Sequence, residues 1–272
     1  MNEVQSKLLE IAVEFIKVCE KLKLNYFASG GTVLGAARHN GFIPWDDDMD
    51  FQMPRKDYEI FIKYGQQYLP EYLFLQTNKT EKYCYSTYAR IRDSNTAAIP
   101  KHDLKAKFNQ GIWIDIFPLD KLPKDLNKVK KIHYIDEHIL KRRFIPSRYV
   151  GDSKKGDIAN FLVKICLPSK RLALKISQHY TLKYENLVDY DYVWNSGANR
   201  FKFHMKKEWF ESFCLLKFEN IEIRVPAFYE DFLSDHYGDW KKIPAVEKRK
   251  THNLYIIDLK KSYKNYVKSK IR

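Results

Sequence analysis

Cysteine is scarce: Cys19, Cys84, Cys166 and Cys214 are the four in 272 residues. None is close enough to another for Cys-x-x-Cys, which excludes a zinc-ribbon or thioredoxin-type motif. They read as reduced core residues of a chain kept in a reducing compartment. Long apolar runs are missing too. The longest uncharged stretch, Leu24 to Ala37, has 14 residues and three glycines, whereas a membrane-spanning helix needs about 20 apolar residues. Met1 to Lys7 has no basic start followed by an apolar stretch, and Asn2 stands where a myristoylation signal needs glycine. A cytoplasmic location is therefore expected. No Gly-x-x-x-x-Gly-Lys-Ser/Thr occurs, so a P-loop is excluded. Repeats, low-complexity tracts and Gly/Ser linkers are absent, and one compact unit over 1–272 is expected.

Aromatics, in contrast, are abundant at 15%, which rules out disorder as the main state. Charge is plentiful and uneven. The chain has 48 Lys and Arg against 34 Asp and Glu, a net charge of +14. Residues 1–120 are nearly neutral, whereas 121–175 hold 15 basic and 5 acidic residues and 241–272 hold 11 and 2. Such blocks are solvated helix faces, phosphate-binding surfaces or contacts to an anionic leaflet. The apolar and basic stretch from Asp157 to Ile176 suits an interfacial helix as well as a core helix. No helix-turn-helix, RRM or zinc-finger signature accompanies the charge, so nucleic-acid binding is the remote reading.

Hydrophobic periodicity predicts an α/β (α+β) fold. Val4, Leu8, Ile11, Phe15, Cys19 and Leu22 recur at helical spacing over 3–23. Leu24 to Ser29 reads as a buried strand stopping at a Gly30-Gly31 turn, with a short helix over Thr32 to Arg38. Asp48 to Met53 alternates as a strand, and a helix follows Pro54. Leu73–Gln76, Tyr85–Arg92 and Ile112–Phe117 are further strands. A mostly helical, basic stretch runs from Pro118 to about Gln178; Phe218–Val225 reads as a hairpin and Phe228–Tyr237 as a helix.

Chemistry concentrates in one stretch. Four of the ten glycines lie between Gly30 and Gly41, followed by Asp46, Asp47, Asp48 and Asp50. On a strand, Asp48 and Asp50 would share a face while Met49 points into the core. Such a pair suits Mg²⁺ (or Mn²⁺), which takes one or two carboxylates plus substrate phosphates. A strand ending in two glycines lets backbone N–H groups approach a phosphate, and a helix opened by Thr32 adds its positive end. Arg38 and His39 follow that helix and are candidate phosphate ligands. Asp115 alternates with Ile114 and Ile116 and, isolated in an apolar strand, needs a metal or a proton-donating hydroxyl as partner. Arg90 and Arg92 share a strand face and are further phosphate candidates. A solvated acidic loop remains the plain alternative. An EF-hand does not fit, because position six from Asp46 is Phe51 where glycine is required.

The block from Gly30 to Asp50 resembles the signature of the LicD family, bacterial phosphorylcholine transferases related to fukutin and fukutin-related protein. Tyr88 to Asp93 with Thr96 resembles the family's second block, and Gly111 to Asp120 its third. Phe218-Glu219, Val225-Pro226, Tyr237 to Trp240, Pro244, Arg249 and His252 resemble its C-terminal blocks. The resemblance implies a polymerase β-like nucleotidyltransferase core in about 1–120, a basic helical region in about 121–200 and family blocks in about 201–272. It implies Gly30 and Gly31 as the nucleotide turn, and Asp48, Asp50 and Asp115 as catalytic carboxylates and metal ligands. It further implies CDP-choline as donor and, as acceptor, a hydroxyl of a surface glycan (lipopolysaccharide, teichoic acid, capsule) or its lipid-linked precursor. CDP-ribitol, CDP-glycerol and CDP-ethanolamine are the alternative donors. A quaternary ammonium calls for aromatic faces, and Trp45, Tyr85, Trp113 and Trp240 are candidates. A lipid-linked acceptor gives the basic blocks a use in peripheral contact with an anionic membrane.

Overall fold

The computed structural model describes residues 1–144, 154–195, 204–249, 251 and 254–267. In chain order its elements are α1 (Glu3–Leu22), β1 (Phe27–Ala28), α2 (Gly30–His39), β2 (Asp50–Pro54), α3 (Arg55–Tyr64), β3 (Leu73–Gln76), β4 (Ala89–Asp93), β5 (Ala97–Pro100), β6 (Ile112–Leu122), α4 (Asn127–Ile135), α5 (Lys141–Phe144), α6 (Lys154–Cys166), α7 (Lys170–Leu182), β7 (Tyr192–Asn195), β8 (His204–Lys206), β9 (Phe213–Phe218), β10 (Ile221–Pro226), α8 (Tyr229–Tyr237), β11 (Leu254–Asp258) and α9 (Lys264–Val267).

A seven-stranded mixed sheet organises the molecule, in the order β1-β2-β6-β4-β3, with β7 on β6 and β8 on β7. β6 is the spine. It runs parallel to β2, which bonds along 115–119, and antiparallel to β4 along 112–116 and to β7 along 119–122. Two small ribbons, β9–β10 and β5–β11, complete the strands. This is the expected α/β (α+β) class.

The core follows from alternation. Phe51, Met53, Ile91, Ile114 and Ile116 are buried on one face of the sheet. α1 lays Leu8, Ile11, Ala12, Phe15 and Cys19 there at helical spacing. Phe15 is fully buried, with ring centroids 4.9 Å from Phe51, 5.3 Å from Tyr26 and 5.3 Å from Phe61. Burial of a phenylalanine of this kind contributes about 1.5–3 kcal/mol. The opposite face carries the polar residues of β2, β4 and β6, and the site is built there.

α1 also reaches the acidic loop. Asn2 and Gln5 form a reciprocal capping box at its start. The Gln5 amide then donates to the carbonyls of Asp46 (2.9 Å) and Ile43 (3.3 Å). The 43–46 loop is thus pinned to the rigid end of a 20-residue helix. From the other side, Glu219 on the β9–β10 turn accepts the Phe42 N–H at 3.0 Å, and its own N–H donates to Asn40 O.

Candidate active site

β1 ends at Ala28 and the chain enters α2 directly. Ser29 is the N-cap and Gly30 the first helical residue, so the glycine pair lies inside the first turn, where a turn followed by a helix from Thr32 was expected. Gly30 has φ +50°, a backbone state that favours glycine. A Cβ there would lie 3.2 Å from Asp50 Oδ2, and one on Gly31 would lie 2.6 Å from Asp46 Oδ2. The two glycines are therefore the floor on which two carboxylates rest. Thr32 does not face a ligand: it is buried, and its hydroxyl accepts the Asp50 N–H at 2.9 Å. With the Ser29 N–H donating to Asp50 O at 2.9 Å, this locks the start of α2 to the start of β2.

β2 begins at Asp50. Asp48 precedes the strand, so the same-face pairing expected from strand geometry does not apply to it. Met49 is buried, as its position predicted, and its carbonyl accepts the Asp115 N–H at 3.0 Å. The in-register partner of Asp50 is Asp115 on β6, and the partner of Asp115 on β4 is Arg90. Neighbouring strands lie about 4.8 Å apart, so Asp50, Asp115 and Arg90 form one row across the sheet. Arg90 Nε donates to Asp115 Oδ1 at 2.7 Å, and Nη2 donates to the Tyr88 hydroxyl. Burial disfavours the Arg90 charge, but Tyr88 and Asp115 outweigh it and hold the guanidinium above its usual range. Burial, then the charges of Asp48, Asp115 and Asp46, push the Asp50 carboxyl well above the ordinary aspartate value, and Arg90 offsets only part of this. Carboxylates drawn together this way call for a cation.

Among the described residues no three His, Cys, Asp or Glu side chains form a ready metal cluster. The donor set nevertheless fits a hard divalent cation, because Mg²⁺ is commonly held by one or two carboxylates and completed by substrate phosphates and water. The glycine floor leaves space beside Asp50. A cavity of about 240 Å³ opens there, lined by Gly30, Gly31, Asp50, Asn195, His236 and Tyr237 among others. The Tyr237 hydroxyl is raised by burial and then by Asp50, Asp46 and Asp48. Asn195, His236 and Tyr237 were missed as site residues. They come from β7 and α8, far along the chain, and only the placement of Tyr237 in a C-terminal block pointed toward them.

Other expected residues go elsewhere. Arg92 is buried; its Nε donates to Gln76 Oε1 at 2.6 Å and its Nη1 to Gly111 O at 2.8 Å, so it braces β3, β4 and the entry to β6 rather than a phosphate. Burial, then Arg90, lowers its pKa to about 9. Arg38 and His39 stand at the far end of α2, about 12 Å along the axis from Gly30. Arg38 Nε donates to His39 Nε2 at 2.9 Å and Nη1 to Trp240 O at 2.8 Å, which ties α2 to the 240–242 segment. Nor do the four aromatic candidates line one cage. Trp45 borders a separate cavity of about 740 Å³ beside Asp46 and Asp47. Tyr85 packs in a satellite cluster against α7, and Trp113 lies over β4. Each ring already has a protein cation over it: Arg249 on Trp45 at 4.1 Å, Arg92 on Trp113 at 4.6 Å, Lys170 on Tyr85 at 5.1 Å and Lys241 on Trp240 at 5.2 Å. His252 lies outside the described residues.

The site is thus a row of carboxylates on a mixed sheet facing a glycine-opened helix. The sequence model of the LicD/FKTN/FKRP nucleotidyltransferase domain matches residues 23–165. The lipopolysaccharide cholinephosphotransferase LicD of Haemophilus influenzae is 31% identical over 93% of this chain and 96% of its own length. An uncharacterized protein of Rickettsia prowazekii is 28% identical over 42% of this chain and 45% of its own. The chain belongs to the LicD family and is an enzyme of the phosphotransferase class. No helix among the described residues is long and apolar enough to cross a membrane.

Proposed function

We propose that the protein transfers phosphorylcholine from CDP-choline to a hydroxyl of a surface glycan or its lipid-linked precursor, releasing CMP. The observation that carries this reading is the in-register Asp50–Asp115 pair, with Asp50 above Gly30, in a chain that matches a cholinephosphotransferase over nearly its whole length. Asp48 and Asp50, with Asp115 beside them, would hold Mg²⁺ (or Mn²⁺), which when bound would neutralise pyrophosphate charge. The positive end of α2, beneath the carboxylates that rest on Gly30 and Gly31, adds to the field that draws the pyrophosphate. Arg90 holds one Asp115 oxygen, and we assign the other to accept the acceptor's proton. The acceptor oxygen then attacks the phosphorus bearing choline, that phosphorus–oxygen bond to the CMP phosphate breaks, and CMP departs with the electron pair. Catalysis of this type is mainly positioning and charge neutralisation.

A second reading keeps the site and changes the head group to ribitol, glycerol or ethanolamine. It draws on the protein cations that already stand over all four candidate rings. The test is CMP release from each CDP donor with purified lipopolysaccharide as acceptor. CDP-choline is expected to give the fastest release, and Asp50→Asn and Asp115→Asn to lose it. Full turnover in either variant would remove these carboxylates from the mechanism.

A further inference from the structure

Helix α6 is amphipathic, yet it turns its larger apolar side outward. Ile158, Phe161, Leu162 and Ile165 recur at i, i+3, i+4 and i+7, so they form one stripe along the helix. They are 60%, 63%, 54% and 61% exposed. The half-buried positions, Ala159, Asn160 and Val163, fall together on the other side. α7 is arranged the ordinary way, with Ala173, Leu174 and Ser177 buried, while Arg171, Leu172 and Lys175 at its start are exposed. Contiguous apolar stripes of this kind mark interaction surfaces.

The pair of helices is built as a firm unit. Arg143 Nε donates to Leu167 O at 2.6 Å and Nη2 to Pro168 O, which fixes the turn between them. The Ser169 hydroxyl caps α7 by accepting the Leu172 N–H. Charge then selects the occupant. Residues 158–184 contain five Lys and Arg and no Asp or Glu, and Lys164, Arg171 and Lys175 are exposed beside the apolar stripe. A second copy docked face to face by a twofold axis would set these cations against one another. An anionic bilayer supplies both what the stripe needs and what the cations need: an acyl boundary for Phe161 and Leu162, and phosphate headgroups for the rim.

We propose that the outer face of α6 and the start of α7 dock this protein, peripherally, on an anionic lipid surface. The inference rests on this surface and not on which donor the enzyme uses. Tyr85 packs on the buried side of α7, opposite this surface, and precedes β4, whose Arg90 holds Asp115.

The test is flotation of the full chain with vesicles of phosphatidylethanolamine and about one-third phosphatidylglycerol, against neutral phosphatidylcholine vesicles, at low and high salt. Binding is expected only to the anionic vesicles and to weaken as salt rises. The double variant Phe161→Asp, Ile165→Asp should lose at least about tenfold in partitioning. Arg171→Glu with Lys175→Glu should weaken binding and flatten its salt dependence. Circular-dichroism melts matching the unsubstituted protein establish that the variants fold. No binding at low salt, equal binding to neutral vesicles, or unchanged binding of the double variant would overturn the proposal. So would a concentration-dependent dimer in solution that Phe161→Asp abolishes, since the stripe would then be covered by a second copy. The readout needs neither donor nor acceptor, so failure here leaves the transferase reading standing.

Discussion

Replacing Gly30 with alanine separates two contributions that the geometry assigns to one residue. The backbone contribution comes from φ +50°. A Cβ in that region costs about 1–2 kcal/mol, partly offset by the smaller unfolded-state entropy of alanine. The net loss of about 1 kcal/mol lowers Tm by about 2–4 °C for a chain of this size. The site contribution comes from the 3.2 Å approach of that Cβ to Asp50 Oδ2, which moves the carboxylate by a few tenths of an ångström. Displacements of about 1 Å at a reacting centre can cost about 100-fold, so a loss of about tenfold in kcat is expected. Gly31→Ala is the contrast. Its Cβ would meet only the far end of the Asp46 side chain, at 2.6 Å, and that end can swing aside. It should retain Tm while still disturbing the acidic loop. Gly35→Ala is the opposite contrast, because its Cβ would lie 2.5 Å from the buried carbonyl of Gly41 and should cost more stability than either. Thermal melts and CMP-release rates on the three variants decide the matter. Wild-type Tm and wild-type kcat in Gly30→Ala would refute the floor that Gly30 is said to provide.

Three further outcomes follow from individual contacts. Because the Asp50 carboxyl is raised by burial and neighbouring carboxylates, the folded state keeps a proton that the unfolded chain releases above 3.8; its ionised form therefore costs stability at neutral pH. Asp50→Asn, melted in chelator, should raise Tm at neutral pH, with the gain shrinking as pH falls toward 3.8, even as it abolishes transfer; an unchanged or lower Tm at neutral pH would contradict this. Arg55 Nε and Nη2 bind both oxygens of buried Asp120 at 2.6 and 2.8 Å, so Asp120→Ala leaves the buried guanidinium only the half-exposed Glu59, 3.1 Å from Nη1, and should cost about 3 kcal/mol by denaturant melt. Phe15→Ala, at the meeting point of three aromatic rings, should cost about 3–5 kcal/mol, with residual CMP release per folded molecule unchanged because the ring lies on the face away from the carboxylates.

Local pattern carried most of the fold. The periodicity of Leu8, Ile11, Phe15 and Cys19 located α1 to within a residue at each end, and the alternation around Asp115 predicted that Ile114 and Ile116 would be buried opposite it. The extent of β6 was less legible. Pro118 reads as a strand breaker, yet β6 continues to Leu122, and register opposite Pro118 falls on Met53 of β2. At the site, the carboxylates and glycines were visible because spacing along one short stretch brought them together. Arg92 was misplaced because strand alternation says which face a residue takes and not whether that face is solvent; Gln76 and Gly111 close over it. Arg38 failed for a different reason. Sequence proximity to Gly30 does not survive a helix that carries residue 38 about two turns away. Tyr237 and Asn195 enter from distant elements, which no local period can announce.

The central claim, that Gly30, Asp50 and Asp115 frame a CDP-donor site, is tested most directly by thermal shift of the purified protein with Mg²⁺. The ligands are CDP-choline, CDP-ethanolamine, CDP-glycerol, CDP-ribitol, CMP and free choline. A ligand at 100 times its Kd adds about 2.7 kcal/mol, a shift of several degrees. The expected result is the largest shift with CDP-choline, a smaller one with CMP, loss of both in Asp115→Asn and a reduced shift in Gly30→Ala. A CDP-choline shift that persists undiminished in both variants, or no shift with any cytidine ligand, would contradict the site described here.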